Sequence, residues 1–380
     1  MGLSLFFTGE GFEIDQLAYP GLPLFIDPQT MRIEHLPTEW IIFQAVIRGS
    51  IRSPGTWRNY AFGLLDWLQY SDANGWDWRS PEERLLAHYR NALECRKPIL
   101  SSKTIARKML VVCWFYEWAK SRGHLRNLPV AFEARGSNII SRRLLAHLNT
   151  TSTSVRRVLV PRRSARERIP RFFTKSEQEL IFNHLSMRDR LMVLWALNTG
   201  VRESELCALT VDQIPEQDGY RATRLYRLRL QVTKGSIGGD LYVPTWLLDE
   251  TYRYVSLFER RTVARNARKR GNSEPSAIWL SRWGKPLRPN SIYQNFKQAV
   301  EKSGIQPGTF HDLRHTYAIT MLDRLTRTAA NDDARARNPL LVLRHLMRHT
   351  TLASTEIYLR AREFYLSDIF QDAWDVPEVR

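Results

Sequence analysis

Four short stretches of the chain carry cations, proton carriers and a phenol, the side-chain types needed for chemistry on an anion. The first, NTGVRESELCALT, sets Arg202 just after a glycine, with Glu205 at the i,i+3 spacing that lets a carboxylate hold a guanidinium on a helix. In the second, QVTKGS, Lys234 precedes Gly235 at the tip of what reads as a β-hairpin. The third, FHDLRHTYAITML, spaces His311 and Arg314 so that they stand about 60° apart around a helix and face one space. Leu313, Tyr317 and Met321 form the apolar stripe that buries its other side. The fourth, RHTTLASTEIYLRA, places His349 ahead of Tyr358. Each stretch alone is ordinary: an arginine at a helix start is usually solvated, a lysine beside glycine is usually a turn residue, and a tyrosine usually packs. The order Arg, Lys, HxxR, H…Y makes Tyr358 a candidate reacting group.

Composition narrows the anion. The chain has 380 residues and a formal net charge of +17, a balance that points to a polyanionic partner. Hydrophobic residues make up 43%, enough for packed cores and against a disordered chain. No uncharged apolar run is long enough to span a bilayer, and the N-terminal MGLSLFFTGEGFEIDQ makes a poor signal peptide. Cys95, Cys113 and Cys207 are scattered and odd in number, which suggests neither a zinc site nor a disulfide framework and implies a reducing, cytoplasmic setting. No carboxylate or Cys/His cluster calls for a metal, and no Walker-type glycine loop calls for a nucleotide cofactor.

The elements that must position these residues fall into four blocks. Residues 1–37, punctuated by proline and glycine, read as a loosely ordered N-terminal arm. Residues 38–134 read as a small helical bundle with a basic face. Trp57, Tyr60, Leu64, Trp67 and Leu68 share one helical face; Ile105, Met109, Val112 and Tyr116 share another, opposite Lys103, Arg107 and Lys108. Residues 135–171 read as a basic linker. Its Arg156, Arg157, Arg162 and Arg163 carry one sign of charge and are broken by Pro161, which suits a strap along phosphates. Residues 172–380 form the last domain. It opens at Thr174 and Glu177, which have capping-box spacing, and continues as helices around a small hairpin sheet.

In this order the motifs TGVRESEL, TKG, HDLRHTYA and RHTTLASTEIY resemble the tyrosine recombinase, or phage integrase, family over about residues 172–362. The resemblance implies a mainly α fold with a small β-sheet in the catalytic domain, arranged as a two-domain DNA clamp, with residues 38–134 as the core-binding (SAM-like) DNA-binding domain. It implies a site-specific recombinase that cuts and rejoins DNA through a 3′-phosphotyrosine at Tyr358. Arg202 and Arg314 would clamp the non-bridging phosphate oxygens, and Glu205 would orient Arg202. Lys234 would protonate the leaving 5′ oxygen, with Lys285 in the turn GKP as the other candidate. His311 would assist proton transfer from the tyrosine, and His349 would hydrogen-bond the phosphate. Lys103, Arg107 and the linker arginines would bind DNA. The partners implied are double-stranded DNA, three further copies in a synaptic tetramer formed from free monomers or dimers, and accessory DNA-bending proteins at the nucleoid. No cofactor is implied. Three departures stand out: Arg348 occupies a position where the family commonly has glycine, residues 324–340 look like an insertion, and the hairpin region from Glu216 to Ser236 is long, with Asp240 where a basic residue is frequent. The competing readings are a type IB-like topoisomerase and a DNA-binding protein without catalysis.

Overall fold

Helices carry most of the chain, as the amphipathic spacings predict. The computed structural model describes all residues except 1, 50, 52, 135–154, 158, 162–168, 216–222, 232–238, 257, 270–274, 332–337 and 367–380. The chain divides into two units, Met1–Glu167 and Arg168–Arg380. Among the described residues no helix is long and apolar enough to cross a membrane.

In the first unit, β1 (Ser4–Phe7), β2 (Glu13–Ile14), β3 (Leu17–Ala18) and β4 (Pro23–Ile26) form two antiparallel pairs, β1 with β4 and β2 with β3. Helices α1 (His35–Ile42), α2 (Pro54–Ala73), α3 (Glu83–Cys95) and α4 (Ser102–Ser121) follow, and β5 (Phe132–Ala134) pairs with β6 (Val155–Arg157). The N-terminal segment is therefore not the loose arm expected. Leu3, Leu22 and Phe25 are buried in the same core as Trp40, Trp67 and Phe115. Strands of two to four residues are too short to show a period in the sequence, and β1 and β4 are held by packing on α1 and α2.

Sequence chemistry explains where the long helices begin. Ser53 caps α2 ahead of Pro54, and Ser101 caps α4, each accepting a backbone N–H three residues on. The two predicted apolar faces meet: Trp57, Leu64, Trp67 and Leu68 are buried, as are Ile105, Met109, Val112 and Tyr116. Trp67 Nε1 donates to Tyr116 Oη at 2.6 Å, and that hydroxyl donates to the Trp78 carbonyl at 2.9 Å, so both polar tips are satisfied inside the core. Lys103 and Arg107 lie exposed on α4. Lys108 does not join them, because its ammonium sits 2.9 Å from the Asp66 carboxylate. Arg157 departs from the linker reading in the same way: it lies on β6 and its Nη2 donates to Glu117 of α4 at 2.7 Å. Arg156 lies on the same strand; Arg162 and Arg163 fall outside the described residues.

The second unit contains α5 (Lys175–Phe182), α6 (Met187–Thr199), α7 (Glu203–Cys207), β7 (Leu225–Leu230), β8 (Gly239–Pro244), α8 (Thr245–Ser256), α9 (Phe258–Lys269), α10 (Pro289–Lys302), α11 (Phe310–Asn331), α12 (Pro339–Leu346) and α13 (Ala353–Leu366). The capping box at Thr174 forms: its N–H reaches Glu177 at 2.9 Å and its hydroxyl accepts the Glu177 N–H at 3.3 Å. β7 and β8 make the hairpin, turning Leu228, Leu230, Leu241 and Val243 inward. Helix α11 packs against α6, α10, α12 and α13, so one helix braces four neighbours. Leu313 and Tyr317 are buried as their spacing predicts, and Met321 is partly so.

Helix α6 ends at Gly200 in the left-handed conformation, φ +63°. A Cβ there would lie 2.5 Å from Cδ1 of Tyr317, so only glycine lets α6 turn this close to α11. Gly200→Ala is expected to lose about 1–3 kcal/mol from backbone strain alone, with the ring clash adding to it. Denaturant unfolding of the intact chain measures the loss.

Candidate active site

The Gly200 turn delivers Arg202 to the start of α7, where local bonds place it. The Arg202 N–H donates to Glu205 Oε2 at 3.0 Å and its Nη1 donates to Oε1 at 2.6 Å, the i,i+3 contact expected from spacing. A third bond to this carboxylate comes from far along the chain, Arg348 Nη2 to Oε2 at 2.7 Å. The Glu205 side chain is fully buried. Burial pushes its pKa up, but Arg348, Arg202 and the backbone N–H outweigh that and hold it below the usual value.

Arg314, from α11, lies between the two turns. It is 2% exposed and donates to the carbonyls of Gly200 and Met347. Burial, with Arg202 and Arg348 nearby, pushes its pKa down to about 9, which leaves it charged at neutral pH. Three guanidiniums thus crowd around one carboxylate. Such a cluster is short of negative charge, which suits it to an anion.

Tyr358, from α13, is 3% exposed. Its hydroxyl lies 3.0 Å from Nδ1 of His315, and its ring stacks on His349 with centroids 6.1 Å apart. His349 Nδ1 is 3.0 Å from the hydroxyl of buried Thr355, which fixes that imidazole. Burial raises the Tyr358 pKa, while Arg314 and Arg202 oppose the rise by favouring phenolate. Burial and neighbouring cations lower the pKa of both His315 and His349 to about 4, so both rings are neutral at pH 7.

The structure brings together Arg202, Glu205, Arg314, His349 and Tyr358 from four helices and the turns between them. His311 stands exposed at the rim, its ring edge-on to His315 at 4.8 Å. The sequence pattern assigned proton transfer from the tyrosine to His311. An imidazole in hydrogen-bond contact with that hydroxyl is His315, one turn further along α11 where the helix packs on α13. The signal for it was present: His315 follows Arg314 and lies i+4 from His311, on the same face. Lys234 lies outside the described residues. Lys285 is exposed in a turn closed by the Ser281 N–H on its carbonyl, 2.8 Å. Lys103, Arg107, Arg156 and Arg157 belong to the first unit.

The phage integrase family matches residues 165–363, and the phage integrase N-terminal SAM-like domain matches residues 43–123. The tyrosine recombinase XerA of Pyrococcus furiosus is 26% identical over 252 residues, which are 64% of this chain and 75% of that protein. The tyrosine recombinase XerC of Lactobacillus leichmannii is 25% identical over 299 residues, 77% of this chain and 82% of that protein. Two solved structures share the fold. XerH site-specific recombinase, in a post-cleavage complex with palindromic difH substrate, has TM-score 0.54 and 15% identity, covering 84% of this chain and 80% of that one. A lambda integrase dimer bound to a COC′ core site has TM-score 0.54 and 13% identity, covering 90% and 99%.

The neutral imidazoles predict a pH dependence. An unfolded histidine takes up its proton near 6.5, whereas His315 and His349 in the fold resist it until about 4. Between those values the unfolded chain binds more protons, so stability falls as pH drops through the window. The groups facing these rings are His311, Asp312, Arg314, Arg202 and Arg348. Thermal unfolding at pH 7 and pH 5 should show a lower Tm at pH 5. A His315→Gln/His349→Gln variant should show a smaller drop.

Proposed function

The chain belongs to the phage integrase (tyrosine recombinase) family, and from that premise we propose that it cuts and rejoins double-stranded DNA at specific sites through a 3′-phosphotyrosine formed by Tyr358. It is a tyrosine-type DNA strand transferase. The observation that supports the residue assignment is that Arg314 bonds the carbonyls of both turns, the one leading to Arg202 and the one leading to His349, while Tyr358 stacks on His349 and hydrogen-bonds His315.

The chemistry follows from the groups present. The phenol oxygen of Tyr358 attacks phosphorus in line with the 5′ oxygen. Charge builds on the non-bridging oxygens as five-coordinate phosphorus forms. Arg202 and Arg314 clamp those oxygens, and neither guanidinium must reorganise because Glu205 and the carbonyls of Gly200 and Met347 already hold them. The phenol proton passes to a neutral imidazole, with His315 in hydrogen-bond contact and His311 beside it. His349 supports the phosphate. The P–O5′ bond breaks, Lys234 supplies the proton that makes the 5′ oxygen a good leaving group, and the strand stays joined to Tyr358. A 5′-hydroxyl from another strand reverses each step and releases the tyrosine. The covalent link conserves the energy of the phosphodiester, so rejoining needs no ATP.

Lys103 and Arg107, exposed on α4, with Arg156, Arg162 and Arg163, would grip phosphates along the duplex. Exchange between two duplexes calls for an assembly of four copies. Its support here is the apolar surface of the last two helices, where Leu341 is 51% and Leu359 39% exposed.

A duplex nicked to lose its leaving strand should trap the protein on DNA, and the DNA-linked peptide should contain Tyr358. Tyr358→Phe should bind and trap nothing; a trapped Tyr358→Phe protein sinks the assignment. Arg202→Ala and Arg314→Ala should each slow trapping by about 10²–10³-fold. A chain ending at Leu366 should still be trapped on a single site, yet fail to exchange strands between two labelled duplexes. Full exchange by that chain removes residues 367–380 from assembly.

A further inference from the structure

Arg348 sits where a glycine is expected on backbone grounds alone. Helix α12 ends in a Schellman motif: the N–H of Arg348 donates to the His345 carbonyl at 3.0 Å and that of His349 to the Arg344 carbonyl at 3.1 Å. The central residue of that motif must be left-handed, and Arg348 has φ +53°. Side chains with a Cβ adopt this conformation at a cost, and glycine avoids it. Something the arginine side chain does must offset the strain.

The side chain runs inward. It is 10% exposed and its Nη2 bonds Glu205 Oε2 at 2.7 Å. Its Nη1 reaches the Leu346 carbonyl at 3.2 Å, while Nε is buried with no hydrogen-bond partner. The guanidinium is therefore not placed to satisfy its own donors. It is placed to reach Glu205.

Occupancy at that carboxylate has a consequence for Arg202. Arg348 and the Arg202 backbone N–H share Oε2, which leaves Oε1 for the Arg202 side chain. Glu205 therefore holds Arg202 through Nη1 alone rather than by the two-pronged grip an unobstructed carboxylate takes on a guanidinium. The remaining N–H groups of Arg202 are not consumed by Glu205. The bond also ties the turn carrying Arg202 to the turn carrying His349, in parallel with Arg314, which joins the same turns through the carbonyls of Gly200 and Met347.

We propose that Arg348 is a positioning residue of the phosphate clamp, which by holding Oε2 of Glu205 keeps Arg202 singly gripped, with donors free for a phosphate, and in register with His349. The proposal rests on the recombinase reading and deepens it at the same site.

Arg348→Gly suits the left-handed backbone, so the variant should fold. Single-turnover trapping on a saturating nicked duplex should slow by about tenfold to hundredfold, the rate equivalent of one charge-assisted hydrogen bond, while DNA affinity stays within about threefold, a change of under one charge-assisted bond. Arg348→Lys restores a cation to Oε2 and should recover most of the rate. In a Glu205→Gln background, Arg348→Gly should add little further loss. A merely structural role would lower Tm with neither the rate-only defect nor rescue by lysine. Wild-type trapping rates in Arg348→Gly, or an equal loss with and without Glu205, overturn the proposal. Side-chain ¹⁵N spectra of the DNA-free protein separate its failure from that of the recombinase reading. The Arg202 guanidinium signals should shift in Arg348→Gly only when Glu205 is present, whether or not the wild type traps DNA.

Discussion

One buried carboxylate holds the site together. Glu205 is sealed from water, and a lone carboxylate there would be protonated or would unfold its surroundings. It stays ionised because Arg202 and Arg348 surround it. The arginines in turn tolerate burial because Glu205 and nearby carbonyls accept their hydrogen bonds. The balance is deliberately uneven: Arg202, Arg314 and Arg348 face one negative charge. Buried ion pairs of this kind add little to stability. Their effect here is to hold three positive charges fixed at one place.

The helices exist to bring those charges from distant parts of the chain. Arg202 arrives on a glycine turn that only Gly200 can make against Tyr317. Arg314 arrives on α11, which is locked in place by buried Leu313 and by Tyr317, whose ring packs on the Gly200 turn. His349 arrives on the turn closing α12, and Tyr358 on α13, which packs against α11. Burial of the phenol raises its pKa while the guanidiniums oppose the rise, so Tyr358 keeps its proton at neutral pH. Neutral imidazoles beside it can accept the proton, because the same cations keep them from taking one from water.

Much of this was legible residue by residue. The i,i+3 contact of Arg202 with Glu205, the capping box at Thr174, and the buried faces of α2, α4 and α11 all follow from local periodicity, and the structure contains them. The N-terminal hairpins were not legible, since strands of two to four residues carry no period. Arg157 and Lys108 look like free cations in the sequence, yet Glu117 and Asp66 take them up. Their partners lie on other elements, and no spacing rule reaches that far.

The sequence by itself determined which side chains are available and which share a helical face, because those properties depend on neighbours within one or two turns. It also carried the family resemblance, through the order of its motifs. Only the tertiary structure decided that His315 touches Tyr358, and that Arg348 reaches Glu205. Both are contacts between helices far apart in the chain. Their distances depend on how α11 packs on α13 and how the end of α12 meets the start of α7, and packing of that kind is a property of the whole core.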